Sequence, residues 1–278
     1  MSILNTDTIK GFKIYLQEKE KTAATIEKYM RDITAFAQWL NGREIEKPLL
    51  LEYKATLLKR LSARSVNSVI SSINSLLEYL GCDIRVKTLK IQRRMFIDKT
   101  RELTRAEYER LLNAARAEGN ERLRLLIQTI CATGIRVSEL EHITVEAANN
   151  GRAEIYCKGK LRIILLPREL CKMLKEYTSE RKIKSGSVFV TKTGNPLDRS
   201  NIWSDMKKLC KKARVDDSKV FPHNLRHLFA RTFYSKKRDI VRLADILGHS
   251  SVNTTRIYTM ESGDEHRKLL ECLDLLIC

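Results

Sequence analysis

No stretch of this 278-residue chain approaches the roughly 20 consecutive apolar residues needed to span a bilayer. Its opening, MSILNTDTIKGFKIY, turns polar early and holds no signal-peptide core. The seven cysteines (82, 131, 157, 171, 210, 272 and 278) include no CxxC pair. An odd, scattered set excludes a disulfide frame or a zinc site and reads as reduced thiols in a soluble cytoplasmic protein. Aromatic residues make up only 6% of the chain and follow no RNP-type pattern, which sets aside an RNA-binding module built on stacked bases. There is no internal repeat and no low-complexity segment.

Acidic residues are the other scarcity. Against 34 Asp and Glu stand 52 Lys and Arg, a formal net charge of +18. The excess is spread along the chain, as in RRMFIDKTR, KKLCKKAR and YSKKR, and is not gathered in a tail. A folded protein this basic is expected to bind nucleic acid, because lysines and arginines release counterions from the phosphate backbone. The plainer reading is solubility charge on solvated faces.

The length allows one large domain or two ordinary ones, and the pattern divides in two. Residues 6–81 show helical periodicity alone. Thr6 is expected to cap a first helix through Glu18, and Thr22 to open a second with Ile26, Tyr29, Ile33, Phe36, Ala37 and Leu40 on one face. Pro48 suits the first turn of a third helix, through Arg60. Ser62 caps a fourth that stops at Gly81. Four helices with short turns suggest a small bundle, over residues 1–85. The next stretch, 86–100, is rich in Lys and Arg and reads as a basic linker, with a covered edge strand as the alternative.

Beyond it the fold class expected is α+β, mainly helical with one small sheet, over residues 101–278. Thr104 and Glu107 form a T-x-x-E capping box, and RLRLLIQTICATG is an apolar helix ending at Gly134. AEIYCKGKLRIILLP (153–167) switches to strand character around a KGK turn and reads as a hairpin, and VFVT (188–191) as a short strand. Asp198 caps a basic helix through about Arg214, followed by helical stretches at 222–235, 239–247, 251–258 and 264–276. The last is amphipathic and suits docking either on its own domain or on a neighbouring protomer. Phosphate contacts are expected from Arg93 and Arg94 in the linker and from Lys207, Lys208, Lys211 and Lys212 on the basic helix.

Residues fit for chemistry cluster in the second half. FPHNLRHLFART places His223, Arg226 and His227 at i, i+3 and i+4, on one helix face. Pro222 puts His223 near the helix N-terminus, where anions are favoured. The pair His223 and His227 lacks a further ligand at metal spacing, so no metal site is expected. In CATGIRVSEL, Arg136 follows a glycine turn and Glu139 stands three residues on, placed to orient the guanidinium. Near the end, LGHSSVNTTRIYTM presents His249 and then Tyr258.

In order along the chain, GIRVSEL, the KGK hairpin tip, HNLR, LGH and Tyr258 resemble the tyrosine recombinase (phage integrase) family. The likeness covers nearly the whole chain: a helical core-binding domain, a basic linker and a catalytic domain, in a minimal, Xer-like two-domain form. It implies a site-specific DNA strand transferase that needs no metal, ATP or other cofactor. Its partners would be double-stranded DNA core sites of two inverted half-sites, acted on by a homotetramer. The implied catalytic set is Arg136, Lys158, His223, Arg226, His249 and Tyr258, supported by Glu139, Lys160 and His227. The family hairpin often reads K-G-x-K, one residue longer than the K-G-K here, so either Lys158 or Lys160 could reach the phosphate. Rival readings are a type IB topoisomerase, with similar residues, and a non-catalytic DNA-binding regulator, which leaves this residue set without a purpose.

Overall fold

The computed structural model describes residues 4–92, 98–157 and 160–259, with 267, 271 and 272; for Lys99, Cys157 and Lys160 it describes the backbone alone. It resolves into two compact units, Met1–Arg93 and Arg94–Cys278.

The first unit is a bundle of α1 (Thr6–Glu18), α2 (Ala23–Leu40), α3 (Lys47–Leu58) and α4 (Ala63–Tyr79). Asn5, not Thr6, caps α1: its side chain accepts from Thr8 N at 2.8 Å, and Thr6 is already helical. Thr22 and Ser62 stand at the N-caps of α2 and α4, as expected. The apolar stripes meet in a core of Phe12, Leu16, Ile33, Phe36, Leu76 and Leu77, all fully buried. Each such side chain contributes roughly 1.5–3 kcal/mol by leaving water.

After α4 the chain runs extended without a strand partner. Asn74 closes a two-way pair with Val86, its Oδ1 accepting from Val86 N and its Nδ2 donating to Val86 O, both at 2.9 Å. Asn67 does the same with Leu89, at 2.7 and 2.9 Å. Side-chain amides thus stand in for a neighbouring strand. Val86 is buried in the bundle core, so residues 86–89 pack with the first unit although their composition reads as linker.

The second unit gathers α5 (Arg105–Ala117), α6 (Glu121–Thr133), a 3-10 helix (Val137–His142), α7 (Val145–Asn150), strands β1 (Arg152–Cys157) and β2 (Lys160–Leu165), α8 (Arg168–Glu180), α9 (Arg199–Ala213), α10 (Pro222–Lys237), α11 (Ile240–Leu247), α12 (Val252–Thr255) and a 3-10 turn (Arg256–Thr259). The Thr104–Glu107 capping box forms as the sequence predicts. α6 is buried nearly all round, carrying Leu125, Leu126, Ile127 and Ile130 into the core.

The two strands pair antiparallel with Ile155 opposite Arg162 and Ala153 opposite Ile164. That register turns Ala153, Ile155 and Ile164 inward, and leaves Tyr156, Leu161, Ile163 and Leu165 exposed. VFVT is not a strand. Ser187 bridges only Thr144, and Val190 only Pro196, so no continuous ladder forms; Val188 N donates to Ile143 O and Phe189 O accepts from Leu197 N, both at 2.9 Å, while the two side chains are buried in the core. Of the expected helix at 264–276 only Arg267, Glu271 and Cys272 are among the described residues, the first two helical. Among the described residues, no helix is long and apolar enough to cross a membrane.

Candidate active site

The end of α6 and the turn after α11 converge on one arginine of α10, Arg226. α6 stops because Gly134 takes a left-handed conformation, φ +64°, that a Cβ would make costly. That stop leaves the Gly134 carbonyl free of the helix, and Arg226 Nη1 donates to it. Arg226 Nη2 donates to Leu247 O at 2.7 Å, at the end of α11, and stands 3.1 Å from His249 Nε2. Arg226 is 2% exposed, the largest fully buried side chain among the described residues. Burial, then the nearby charge of Arg136, lower its pKa to about 10, which leaves it charged at neutral pH.

Arg136 begins the 3-10 helix and pairs with the residue three positions on. Its Nη1 donates to Glu139 Oε1 at 2.7 Å, its backbone N to Glu139 Oε2 at 3.0 Å, and its Nη2 to Gly248 O at 3.1 Å. Burial alone would push the Glu139 carboxyl up; the hydrogen bonds from Arg136 and the charges of Arg162 and Arg136 overcome it and hold it below the usual range. Arg162 on β2 donates to the same carboxylate, Nη1 to Oε2 at 2.6 Å. Three guanidiniums against one carboxylate leave two positive charges in this cluster. Attack by a phenolate on a phosphodiester gives a phosphorane of two negative charges, so the cluster matches that state in charge.

Gly248 is left-handed at φ +62° and turns the chain from α11 to His249. His249 Nδ1 lies 2.9 Å from Thr255 Oγ1, which fixes the ring with Nε2 toward Arg226. Burial and then the charges of Arg226 and Arg136 lower its pKa to about 4, so the ring is neutral at pH 7. Tyr258, in the following 3-10 turn, is 5% exposed and packs with Ala230, Leu243 and Leu247. Its ring stacks beside His249 with centroids 6.2 Å apart, and meets His227 at 5.0 Å. Burial raises its pKa, opposed by the charge of Arg226. The tyrosine therefore sits within its own chain's cluster.

His223 stands at the solvent end of this row, its ring 4.5 Å from that of His227. Desolvation, then Arg226, Arg136 and Arg199, lower its pKa. Pro222 occupies the first turn of α10, and buried Asn224 ties that turn to Arg101 O at 3.0 Å and Lys219 O at 2.7 Å. Among the described residues no group of three or more His, Cys, Asp or Glu could hold a metal ion.

The structure thus brings together Arg136, Glu139, His223, Arg226, His227, His249 and Tyr258. Lys158 and the Lys160 side chain lie outside the described residues, as do Arg93 and Arg94. On α9, Lys208 and Lys211 are exposed. Lys207 is occupied by the Trp203 ring and Asp217 O, and Lys212 by Glu118. Sequence reasoning passed over Arg162 and Arg199. Arg162 had a signal: in KLRIIL the alternation that turns Leu161 and Ile163 outward puts a charge on the buried face. Arg199 had none, since its nearness to His223 depends on how α9 meets α10.

Comparison with known proteins identifies the family. Residues 101–265 match the model of the Phage integrase family, and residues 9–81 that of the Phage integrase N-terminal SAM-like domain. The chain belongs to the phage integrase family. It is 30% identical to tyrosine recombinase XerA of Pyrococcus horikoshii over 99% of this chain and 96% of the relative. The fold is also that of a lambda integrase (75–356) dimer bound to a COC′ core site, with TM-score 0.75 and 17% identity over 94% of this chain and 97% of that one. A lambda integrase tetramer bound to a Holliday junction matches at TM-score 0.72 and 18% identity, over 91% and 76%.

Proposed function

We propose that this chain is a site-specific DNA recombinase that cuts and rejoins DNA through a 3′-phosphotyrosyl link. The observation that carries the reading is the buried phenol of Tyr258 held in one cluster with Arg226 and His249. A core tyrosine needs neither two arginines nor a histidine wired to one of them.

In this reading Tyr258 Oη attacks the scissile phosphorus and its proton passes to His223, neutral and able to accept it. The O–P bond forms as the bond to the 5′-oxygen breaks. Arg136 and Arg226 neutralise the non-bridging oxygens with fixed planar donors, and His249 Nε2 adds a neutral contact. Lys158 or Lys160 gives its proton to the departing 5′-oxygen. A 5′-hydroxyl from a second duplex reverses the steps and seals the exchanged strand. The bond energy is kept in the phosphotyrosine, so no ATP is consumed.

The bundle, with the segment packed on it, grips core DNA; the basic stretch through residue 100 links it to the catalytic unit of 101–278. Arg93, Arg94, Lys208 and Lys211 contact phosphates, with Lys207 and Lys212 once released from their present partners. The substrate is a core site of two inverted half-sites, bound by four protomers in synapsis, in the cytoplasm.

The test uses nicked duplexes drawn from a random-sequence pool by binding to the full chain. The expected result is a covalent protein–DNA adduct on a denaturing gel from the wild type and none from Tyr258→Phe. No adduct from the wild type on a tightly bound duplex overturns the reading.

A further inference from the structure

Arg162 stands on the inward face of β2, where its neighbours within the hairpin are aliphatic. Its cross-strand partner is Ile155, and the next inward residue on its own strand is Ile164, both buried. A guanidinium is expensive to bury in such a place, and an aliphatic side chain of similar volume serves stability as well or better. The charge therefore calls for another reason.

Its contacts supply one. Nη1 holds Glu139 Oε2 at 2.6 Å, and Nη2 holds Ile246 O at 2.9 Å, one residue short of the Leu247–Gly248–His249 bend. Glu139 in turn grips Arg136 by both side chain and backbone, and Arg136 Nη2 reaches Gly248 O at 3.1 Å. The links close a ring: β2, Glu139, Arg136, the 246–248 turn and back to β2. With one oxygen held by each arginine, the Glu139 carboxylate cannot rotate. Gly248 completes the fit, since a Cβ there would stand 2.5 Å from Arg162 Cδ and Nε.

We infer that Arg162 is a positioning residue for the phosphate clamp, orienting Arg136 through Glu139 and holding the turn that presents His249 through the Ile246 carbonyl. The inference rests on the recombinase reading of the site. Arg162 touches no reacting atom; its effect is to keep Arg136 and His249 in place where charge develops.

The test compares Arg162→Gln and Arg162→Lys with the wild type in single-turnover adduct formation. Each protein meets two nicked duplexes, one with an ordinary scissile phosphate and one with a methylphosphonate there. The methylphosphonate is neutral and lacks one non-bridging oxygen, so a positive clamp stabilises its attack far less. On phosphate, Arg162→Gln is expected to be about a hundredfold slower, the scale of a misplaced catalytic group. Arg162→Lys falls between, because it keeps the charge but loses the two-pronged fork. On methylphosphonate the deficit of both variants shrinks to about threefold or less, since the clamp they misplace is no longer needed. An equal deficit on both duplexes, or none on phosphate, overturns the inference. So does loss of cooperative unfolding and DNA binding in both variants, which would make Arg162 a residue of the fold alone. A wild type that forms no adduct sinks the recombinase reading and this inference with it; a reactive wild type with unchanged variants sinks the inference alone.

Discussion

The rings of His227 and Tyr258 meet nearly at right angles, 89°, with their centroids 5.0 Å apart. Burial, then His223 and Arg226, lower the His227 pKa to about 4, and its Nε2 is buried with no hydrogen-bond partner among the described residues. A neutral ring in that place holds the tyrosine by shape. His227→Ala removes the wall and is expected to slow adduct formation by about tenfold to a hundredfold, the cost of a loosely aimed nucleophile. His227→Phe keeps the edge-to-face contact and retains most of the rate. Single-turnover cleavage of the two variants separates a wall from a proton carrier, which Phe could not replace.

Glu139 carries two arginines on one carboxylate. Glu139→Gln leaves the largely buried Arg162 and the partly exposed Arg136 short of a charge and is expected to cost about 3 kcal/mol of stability, nearly all of it from the Arg162 pair. Urea unfolding reads the loss. Adduct formation should fall with it, while DNA affinity, set by surface phosphate contacts, stays within about threefold.

Three histidines give the free protein a pH dependence of known sign. His227 and His249 have folded pKa values of about 4, and His223 is also lowered, against roughly 6.5 unfolded. The unfolded chain therefore binds more protons between these values, and stability falls as pH drops from about 6.5 toward 4. Thermal unfolding followed over that range should show a declining Tm, with a shallower decline in His227→Phe. A Tm independent of pH in this window contradicts the buried, neutral assignment.

Gly134 ends α6 and offers its carbonyl to Arg226. An added Cβ would stand 2.5 Å from the Phe229 ring and 3.0 Å from Leu247, at φ +64°. Gly134→Ala is expected to lose about 2–4 kcal/mol, combining left-handed strain with overpacking. Because the shift moves the Arg226 acceptor, adduct formation should fall in the protein that remains folded at low temperature.

The net charge of +18 predicts a steep salt dependence. A plot of log K against log salt should fall with a slope of about −0.9 for each phosphate contact. Replacing Lys208 and Lys211 together with Ala should flatten it by roughly two contacts if both meet DNA. An unchanged slope places the interface elsewhere.

Much of the fold was legible because local chemistry sets helix ends. The capping box at Thr104, the glycine stop at 134 and Pro222 in the first turn of α10 are each decided within a few residues. The misses were of another kind. Asn5 outcompeted Thr6 because two candidate caps stood side by side. Sequence reasoning passed over α7 and α8 although both carry signals: Thr144 caps α7 and left-handed Gly151 ends it, and Leu170, Cys171, Leu174 and Tyr177 share the buried face of α8. VFVT has strand composition, yet composition cannot supply a partner strand.

The site divides along the same line. The sequence alone determined which residue types were present and in what order: Arg136, His223, Arg226, His249 and Tyr258, with Arg136, His223 and His249 each beside a turn or a cap that its neighbours dictate. Only the tertiary structure decided that Arg226 lies buried between the carbonyls of Gly134 and Leu247, 92 and 21 residues away. It alone brought Arg162 from β2 to share Glu139 with Arg136. The physical reason is that hydrogen-bond acceptors at helix ends are backbone atoms, common to every residue. No side-chain pattern announces which two of them will meet one guanidinium until the helices have packed.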